Sequence, residues 1–110
     1  MAYRIEPTEL FKRESKRLTK KYRSLVSELQ ELSQKLKENP QLGTDLGFGL
    51  FKIRLGIRSK GKGKSGGGRV VTYVIDEDKV IHLLTMYDKA ELDTIATPVL
   101  RELARELIRK

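Results

Sequence analysis

The stretch LFKIRLGIRSKGKGKSGGGR, residues 50–69, alternates apolar and basic side chains in its first half. The apolar positions are Phe51, Ile53, Leu55 and Ile57, and the basic positions are Lys52, Arg54 and Arg58. Successive side chains of a strand point to opposite faces of the sheet. The pattern therefore predicts a strand over residues 50–58 that presents one face to a core and a basic face on the other side.

The second half of this stretch is rich in glycine and lysine. Glycine lowers the tendency to form helix or strand, so residues 59–68 are expected to form a mobile loop that carries Lys60, Lys62 and Lys64. Between residues 46 and 75 the chain has seven basic side chains and no acidic one. A basic strand beside a basic loop is typical of a surface that receives a polyanion.

The overall composition agrees with a small nucleic-acid-binding protein. The chain has 110 residues, which predicts one domain over residues 1–110, and its formal net charge is +8. It has no cysteine, which fits a cytoplasmic protein. No apolar run approaches the roughly 20 residues of a membrane span, so we expect no membrane association.

The rest of the chain supplies two helices before this stretch and two strands and a helix after it. The predicted elements are a strand at residues 3–6, helices at 8–21 and from Ser24 to Asn39, a connection at 41–49, strands at 68–75 and 79–87, and a helix from Thr97. Leucines recur at helical spacing in the second helix and need an apolar surface to cover. The predicted fold class is α+β, with order β-α-α-β-β-β-α, a twisted and mainly antiparallel sheet, and the helical hairpin on one face.

The sequence offers few residues for metal or cofactor chemistry. His82 is the only histidine and lies in an apolar strand, so we interpret it as structural. A single histidine without cysteine does not make a zinc site. The lysine and glycine pairs of residues 61–65 lack the spacing and the following helix of a nucleotide phosphate-binding loop. We therefore expect no cofactor and no metal.

The order of these elements, together with three short motifs, resembles the RelE/ParE superfamily of bacterial type II toxin-antitoxin systems. The motifs are Lys52-Ile53-Arg54, the strand Gly68-Arg69-Val70-Val71-Thr72-Tyr73, and the strand exit Tyr87-Asp88-Lys89. The likeness is greatest to RelE- and HigB-like messenger-RNA interferases and extends over nearly the whole chain. It implies a RelE-like fold and a toxin that inhibits translation by cutting messenger RNA on the ribosome, without a metal.

The resemblance also implies a set of functional residues. The matching catalytic positions are Lys52, Arg54, Arg69 and Lys89. The expected RNA-binding positions are Arg58, Lys60, Lys62, Lys64, Tyr73 and Tyr87. RelE-like toxins carry a tyrosine in the C-terminal segment, whereas no tyrosine follows Tyr87 here, and Ala90 stands where an arginine is expected. The implied partners are the cognate antitoxin protein, messenger RNA and the ribosome.

The implied reaction is attack of a ribose 2′-hydroxyl on the adjacent phosphate, which needs a base, a stabiliser of negative charge and a proton donor. Arginine stays protonated and cannot be the base, whereas a lysine can act as one where nearby cations lower its pKa. We therefore interpret Lys52 as the base and Lys89 as a residue near the leaving group. Arg54 and Arg69 would stabilise the phosphate.

Two alternatives remain open at the level of the sequence. One is a ParE-like toxin that inhibits DNA gyrase without cutting nucleic acid, since one fold serves different functions. The other is a catalytically silent RNA-binding relative, which the missing C-terminal tyrosine allows.

Overall fold

Five strands form one sheet, and helices cover both of its faces. The computed structural model describes residues 2–61 and 66–109. Its elements are β1 (Arg4–Pro7), α1 (Glu9–Lys21), α2 (Leu25–Glu38), β2 (Thr44–Gly47), β3 (Leu50–Leu55), β4 (Gly68–Ile75), β5 (Val80–Asp88) and α3 (Thr97–Ile108). The α+β class and the order of the predicted elements are confirmed, with one additional strand, β2. No helix in these two ranges is long and apolar enough to cross a membrane.

The strands lie in the order β1-β5-β4-β3-β2. All neighbours are antiparallel except β1, which runs parallel to β5. The sheet is therefore mainly antiparallel, as predicted, and β4 occupies its centre. Apolar side chains on both faces of β4 favour that central position.

The extra strand β2 occupies part of the segment that was expected to be a connection. Its four residues, TDLG, do not alternate apolar and polar side chains, so the sequence gives no strand signal here. A tight turn joins β2 to β3, with positive φ at Phe48 (59°) and Gly49 (80°). Two consecutive residues with positive φ suit the right-handed twist of a hairpin, although the first of them is usually Asn or Gly rather than Phe.

The larger core lies between the helical hairpin and one face of the sheet. The helices contribute Phe11, Leu18, Leu25, Leu32 and Leu36, and β3 contributes Phe51, Ile53 and Leu55. The cap of α1 joins this hairpin to the sheet, because Thr8 Oγ1 accepts the N–H of Phe11 at 3.0 Å and donates to the carbonyl of Leu84 at 2.8 Å. The prediction that the hairpin covers the apolar face of β3 is confirmed.

A smaller core lies on the opposite face of the sheet, under α3. It consists of Leu50, Val71, Leu84, Leu100 and Ala104. Because side chains alternate along β3, Lys52 and Arg54 share this second face with Leu50. Lys52 is half-buried and Arg54 is exposed, so neither lies under the helical hairpin. Helix α3 therefore leaves part of the basic face open.

The strand β3 ends earlier than predicted. It stops at Leu55, and Arg58–Lys60 form a short 3₁₀ turn instead of the strand end and mobile loop that were expected. The carboxylate of the buried Glu28 stabilises this turn by accepting the N–H of Arg58 at 2.6 Å. Gly67 permits the chain to return closely, since a Cβ there would lie 2.2 Å from the carbonyl oxygen of Leu55.

One buried hydroxyl provides a test of the core. Thr72 is completely buried in the centre of the sheet, and its Oγ1 has no hydrogen-bond partner among the described atoms. A buried hydroxyl without a partner costs about 1–3 kcal/mol, and valine has nearly the same shape. We expect Thr72→Val to raise the free energy of unfolding by about 1 kcal/mol in urea denaturation.

A threonine with both hydrogen bonds made serves as the control. Thr8→Val removes the helix cap of α1 and should lower the free energy of unfolding by about 1 kcal/mol. A loss of stability in Thr72→Val comparable to that in Thr8→Val would show that the Thr72 hydroxyl is satisfied in solution.

Candidate functional site

The register of the three central strands aligns three of the predicted side chains. Arg54 of β3 is opposite Arg69 of β4, and Arg69 is opposite Tyr87 of β5. Directly opposite residues have Cβ atoms about 4.5–5.5 Å apart on a shared face. The row Arg54-Arg69-Tyr87 therefore crosses the face that α3 leaves partly open.

Lys52 lies one row away on the same face, opposite Val71. Its Nζ donates to the hydroxyl of Thr94 at 3.2 Å. Thr94 belongs to the segment between β5 and α3, and that segment therefore crosses the open face close to the basic row.

Lys89 follows β5 directly and is held by the same segment. Its backbone N–H donates to the carbonyl of Gly67 at 3.1 Å, and its Nζ lies 2.8 Å from both the carbonyl oxygen and Oδ1 of Asp93. The hydrogen bond from Lys89 lowers the pKa of Asp93, and the charges of Lys52 and Arg69 act in the same direction. One exposed carboxylate thus lies within the field of three of the predicted catalytic cations.

Arg69 is the most enclosed of these cations. It is 8% exposed, and its Nη1 donates to the carbonyl of Gly68 at 2.9 Å. A cation in a partly dehydrated position interacts more strongly with an approaching anion than one in open water. The structure thus brings together all four residues that the resemblance indicated as catalytic: Lys52, Arg54, Arg69 and Lys89.

The two predicted RNA-binding tyrosines lie in different places. Tyr87 is in the basic row but only 5% exposed, so its ring forms part of the site's wall rather than an open stacking surface. Tyr73 stacks on His82 with ring centroids 6.2 Å apart and packs against the core under α3. It is four residues from Arg69 along β4, about 13 Å at strand spacing, and does not join the row.

The predicted RNA-binding cations of the loop also lie in different places. Arg58 turns towards α2, where its Nη2 donates to the Ser27 hydroxyl at 3.0 Å and its Nε lies 3.7 Å from the Glu28 carboxylate. Lys60 turns inwards, with a side chain only 6% exposed. Lys62 and Lys64 lie outside the described residues.

The inward turn of Lys60 is explained by Asp88, the last residue of β5. Asp88 is fully buried, and its carboxylate accepts hydrogen bonds from Lys60 Nζ at 2.7 Å, the Tyr22 hydroxyl at 2.6 Å and the Ala90 N–H at 2.9 Å. Burial alone would raise the pKa of Asp88, but these hydrogen bonds outweigh burial and hold the pKa well below its ordinary value of 3.8. Sequence reasoning missed this pair, because a lysine among glycines is indistinguishable from a solvated one.

The ion pair between Lys60 and Asp88 holds in place the backbone next to the site. It joins the end of α1, the 3₁₀ turn and the exit of β5, and Asp88 is paired with Gly68 next to the row of Arg69 and Tyr87. The supporting residues Asp93 and Thr94 belong to no motif found in the sequence, and Asp88 belongs to the Tyr87-Asp88-Lys89 motif but was assigned no role. Among the side chains that the structure describes, no group of three or more His, Asp or Glu residues is arranged to hold a metal ion.

Comparison with known proteins identifies the fold. No family model matches the sequence. A mutant of the E. coli toxin RelE in the free state superimposes with a TM-score of 0.65 and 22% identity, over 99% of this chain and 100% of that one. The isolated E. coli RelE toxin superimposes with a TM-score of 0.62 and 21% identity, over 97% and 100% of the two chains. The chain therefore has the RelE toxin fold, as the resemblance predicted.

The buried ion pair yields a prediction about stability. Lys60→Ala leaves the Asp88 carboxylate buried without its main cation, which costs about 3 kcal/mol in comparable pairs. We expect a loss of that order in urea denaturation at pH 7. Because the pKa of Asp88 is lowered by folding, this contribution is present at neutral pH and is lost as the pH falls through the folded-state value, so the difference between the two proteins should shrink in acid.

Lys21 provides a matched control for this experiment. Its Nζ lies 3.4 Å from the other Asp88 oxygen, but its side chain is 46% exposed. Lys21→Ala should therefore change the free energy of unfolding by less than about 1 kcal/mol. Equal effects of Lys21→Ala and Lys60→Ala would contradict the structural role assigned to Lys60.

Proposed function

We propose that this chain, which has the fold of the RelE toxin, is the toxin of a type II toxin-antitoxin system and a ribosome-dependent messenger-RNA endoribonuclease. The observation that supports this proposal most directly is the convergence of Lys52, Arg54, Arg69 and Lys89 on one open sheet face. A phosphodiester is the anion that such a cluster on a rigid strand suits. The absence of acidic residues between positions 46 and 75 favours RNA as the ligand.

In the proposed reaction the ribose 2′-hydroxyl attacks the adjacent phosphorus and the bond to the 5′-oxygen of the next nucleotide breaks. Lys52 takes the proton of the 2′-hydroxyl, because the arginines of the cluster remain protonated. Arg54 and Arg69 stabilise the negative charge that develops on the phosphate oxygens. Lys89 lies beside them and donates a proton to the departing oxygen. The products are a 2′,3′-cyclic phosphate and a 5′-hydroxyl.

When RNA binds, the segment between β5 and α3 that carries Asp93 has to release its contacts with the cations. The Asp93 carboxylate lies in the field of Lys89, Lys52 and Arg69, and a phosphate would take over that position. The side chain of Asp93 is 93% exposed, so its displacement uncovers no buried surface. Lys89 would thereby exchange one anion for another.

One observation favours a second candidate, a catalytically silent RNA-binding protein. Tyr87 is the last tyrosine of the chain, and its ring is almost fully buried. If cleavage requires an exposed tyrosine ring that stacks on a base, the row Arg54-Arg69-Tyr87 does not provide one. Measurement of cleavage separately from binding distinguishes the two candidates.

The substrate itself tests the mechanism. A ribosome-bound messenger RNA with one 2′-deoxy residue at the cut site should resist cleavage completely, because its nucleophile is missing, while the unmodified message is cut. Cleavage should also persist in the presence of a chelator, provided that the free magnesium concentration is set separately so that the ribosomes stay intact. Primer extension and end-group analysis measure both results. Cutting of the 2′-deoxy message would refute the mechanism.

The variant Lys52→Ala separates catalysis from binding. It should lower the single-turnover cleavage rate by about 100-fold or more, the usual contribution of a positioned base. Affinity for the 2′-deoxy message should change by less than about threefold, since Lys52 is one phosphate contact among several and a single contact contributes little at physiological salt. Lys37→Ala, an exposed change on α2, should leave both quantities unaltered.

Two other outcomes of these measurements would each indicate a different alternative function. Intact messenger RNA with normal binding by the wild-type protein would identify the silent RNA-binding protein. Intact RNA together with blocked replication would indicate the ParE-like alternative.

A further inference from the structure

One aromatic ring lies outside both cores, at the turn between β2 and β3. Among the phenylalanine and tyrosine side chains in the described ranges, Phe48 alone is exposed, to the extent of 66%. Neither the larger nor the smaller core includes it. The ring therefore adds little to burial, and its position has to be explained in another way.

The backbone at Phe48 is unfavourable for a bulky residue. Its φ of 59° lies in the left-handed region, where such a side chain is an outlier. The turn itself is fixed, because a Cβ at Gly49 would lie 2.9 Å from the carbonyl oxygen of Val74. Asn-Gly is a preferred pair for a two-residue turn with positive φ at both positions. The chain has Phe-Gly instead, and backbone strain of this kind clusters at functional positions.

Arg101 of α3 holds the ring of Phe48. Its guanidinium carbon lies 3.7 Å from the ring centroid, within the range of a cation–π contact. Arg105, one turn further along α3, is paired with Glu102. In residues 2–61 and 66–109, by contrast, no carboxylate forms an ion pair with Arg101. The charge of Arg101 is therefore available to an anion that approaches the ring.

Attachment of α3 to the sheet does not account for an exposed ring. Leu100 and Ala104 already join the helix to Leu50 in the smaller core. Phe48 and Arg101 border a pocket of about 170 Å³ beside that core. Arg101 covers one side of the ring, and most of the rest of Phe48 is open to solvent. The surface thus presents an aromatic ring and a positive charge side by side.

We propose that Phe48 and Arg101 form a stacking site for an unpaired nucleobase of RNA, which lies against the open side of the ring. Unpaired RNA bases stack on aromatic rings, and a neighbouring arginine adds cation–π attraction and charge. The basic row offers no such ring, because Tyr87 is buried. The ring lies on the side of the sheet that α3 covers, which is also the side of Lys52.

The distance between the two places suits a single strand. Phe48 precedes Lys52 by four residues, so their Cα atoms lie no more than about 14 Å apart. A few nucleotides cross that span. One base of a message could therefore stack on Phe48 while a phosphate further along the same strand lies at the cations.

This inference deepens the proposed function and rests on it in taking RNA as the ligand. The cations act on a phosphate, which every nucleotide has, whereas a stacking site fixes the position of the strand through a base. A protein partner or a second copy is a poorer occupant, because such contacts use a wider apolar patch than one ring flanked by arginine.

The test compares two fluorescein-labelled single strands of equal length and charge by fluorescence anisotropy. One is a 2′-O-methyl oligouridylate, and the other has the same number of phosphates on abasic tetrahydrofuran sugars. Neither strand has the 2′-hydroxyl that cleavage needs. The wild-type protein should bind the oligouridylate at least about fivefold more tightly, the contribution of one stacked base. Phe48→Asn should bind the two strands equally, with its affinity for the abasic strand unchanged.

Two control variants isolate the aromatic ring. Phe48→Trp keeps an aromatic surface and should retain the preference for bases. Val26→Asn replaces an apolar side chain on α2 that is 52% exposed, and it should also retain the preference. Because Asn-Gly suits the turn, Phe48→Asn should not lower the free energy of unfolding in urea. A lower stability together with equal weakening for both strands would overturn the proposal and assign the ring to packing.

The remaining outcomes separate this site from the cleavage reaction. Equal affinity of the wild-type protein for the two strands, or a preference that survives in Phe48→Asn, would overturn the stacking site alone. Failure of the wild-type protein to bind both strands and ribosome-bound message would overturn the proposed function as well. A wild-type dimer that Phe48→Asn converts to a monomer in sedimentation would overturn the proposal in favour of a second copy.

Discussion

The antiparallel register of β3, β4 and β5 is the constraint on which the candidate site depends. It places Arg54 opposite Arg69, although like charges on directly opposite residues destabilise a sheet. The apolar face of the same strands offsets this cost, because a shift by one residue would move Ile53 out of the larger core and a cation into it. The core thus holds in place a cluster of charges that would otherwise separate.

The cations are accessible because α3 covers only part of the second face of the sheet. Helix α3 packs over Leu50, Val71 and Leu84. On the same face, Lys52 stays half-buried and Arg54 stays exposed. The segment between β5 and α3 crosses this opening and contributes Asp93 and Thr94. Beneath the opening, Asp88 binds Lys60 and Tyr22, so the strand exit that carries Lys89 is joined to α1. The fixed strand exit at Asp88 and the segment that carries Asp93 together suit a site in which a bound carboxylate is replaced by another anion.

The sequence predicted what depends on burial and missed what depends on contacts between distant residues. The alternation of Phe51 with Lys52 identified both faces of β3, since strong burial leaves a period of two. Strand β2 was not predicted because its four residues, none of them fully buried, show no such period. The roles of Lys60 and Asp93 were not predictable, because each is defined by a partner that only the register brings near. The resemblance indicated the four clustered cations, but not the burial of Tyr87.

The central claim is that Arg54 and Arg69 act together on one phosphate, and a double-mutant cycle tests it most directly. Single-turnover cleavage of ribosome-bound message is measured for Arg54→Gln, Arg69→Gln and the double variant, with folding checked by circular dichroism. Joint action predicts that the double variant is little slower than the slower single variant, a coupling of at least about 1 kcal/mol. Effects that simply multiply would contradict the account, because the two arginines would then act at independent places.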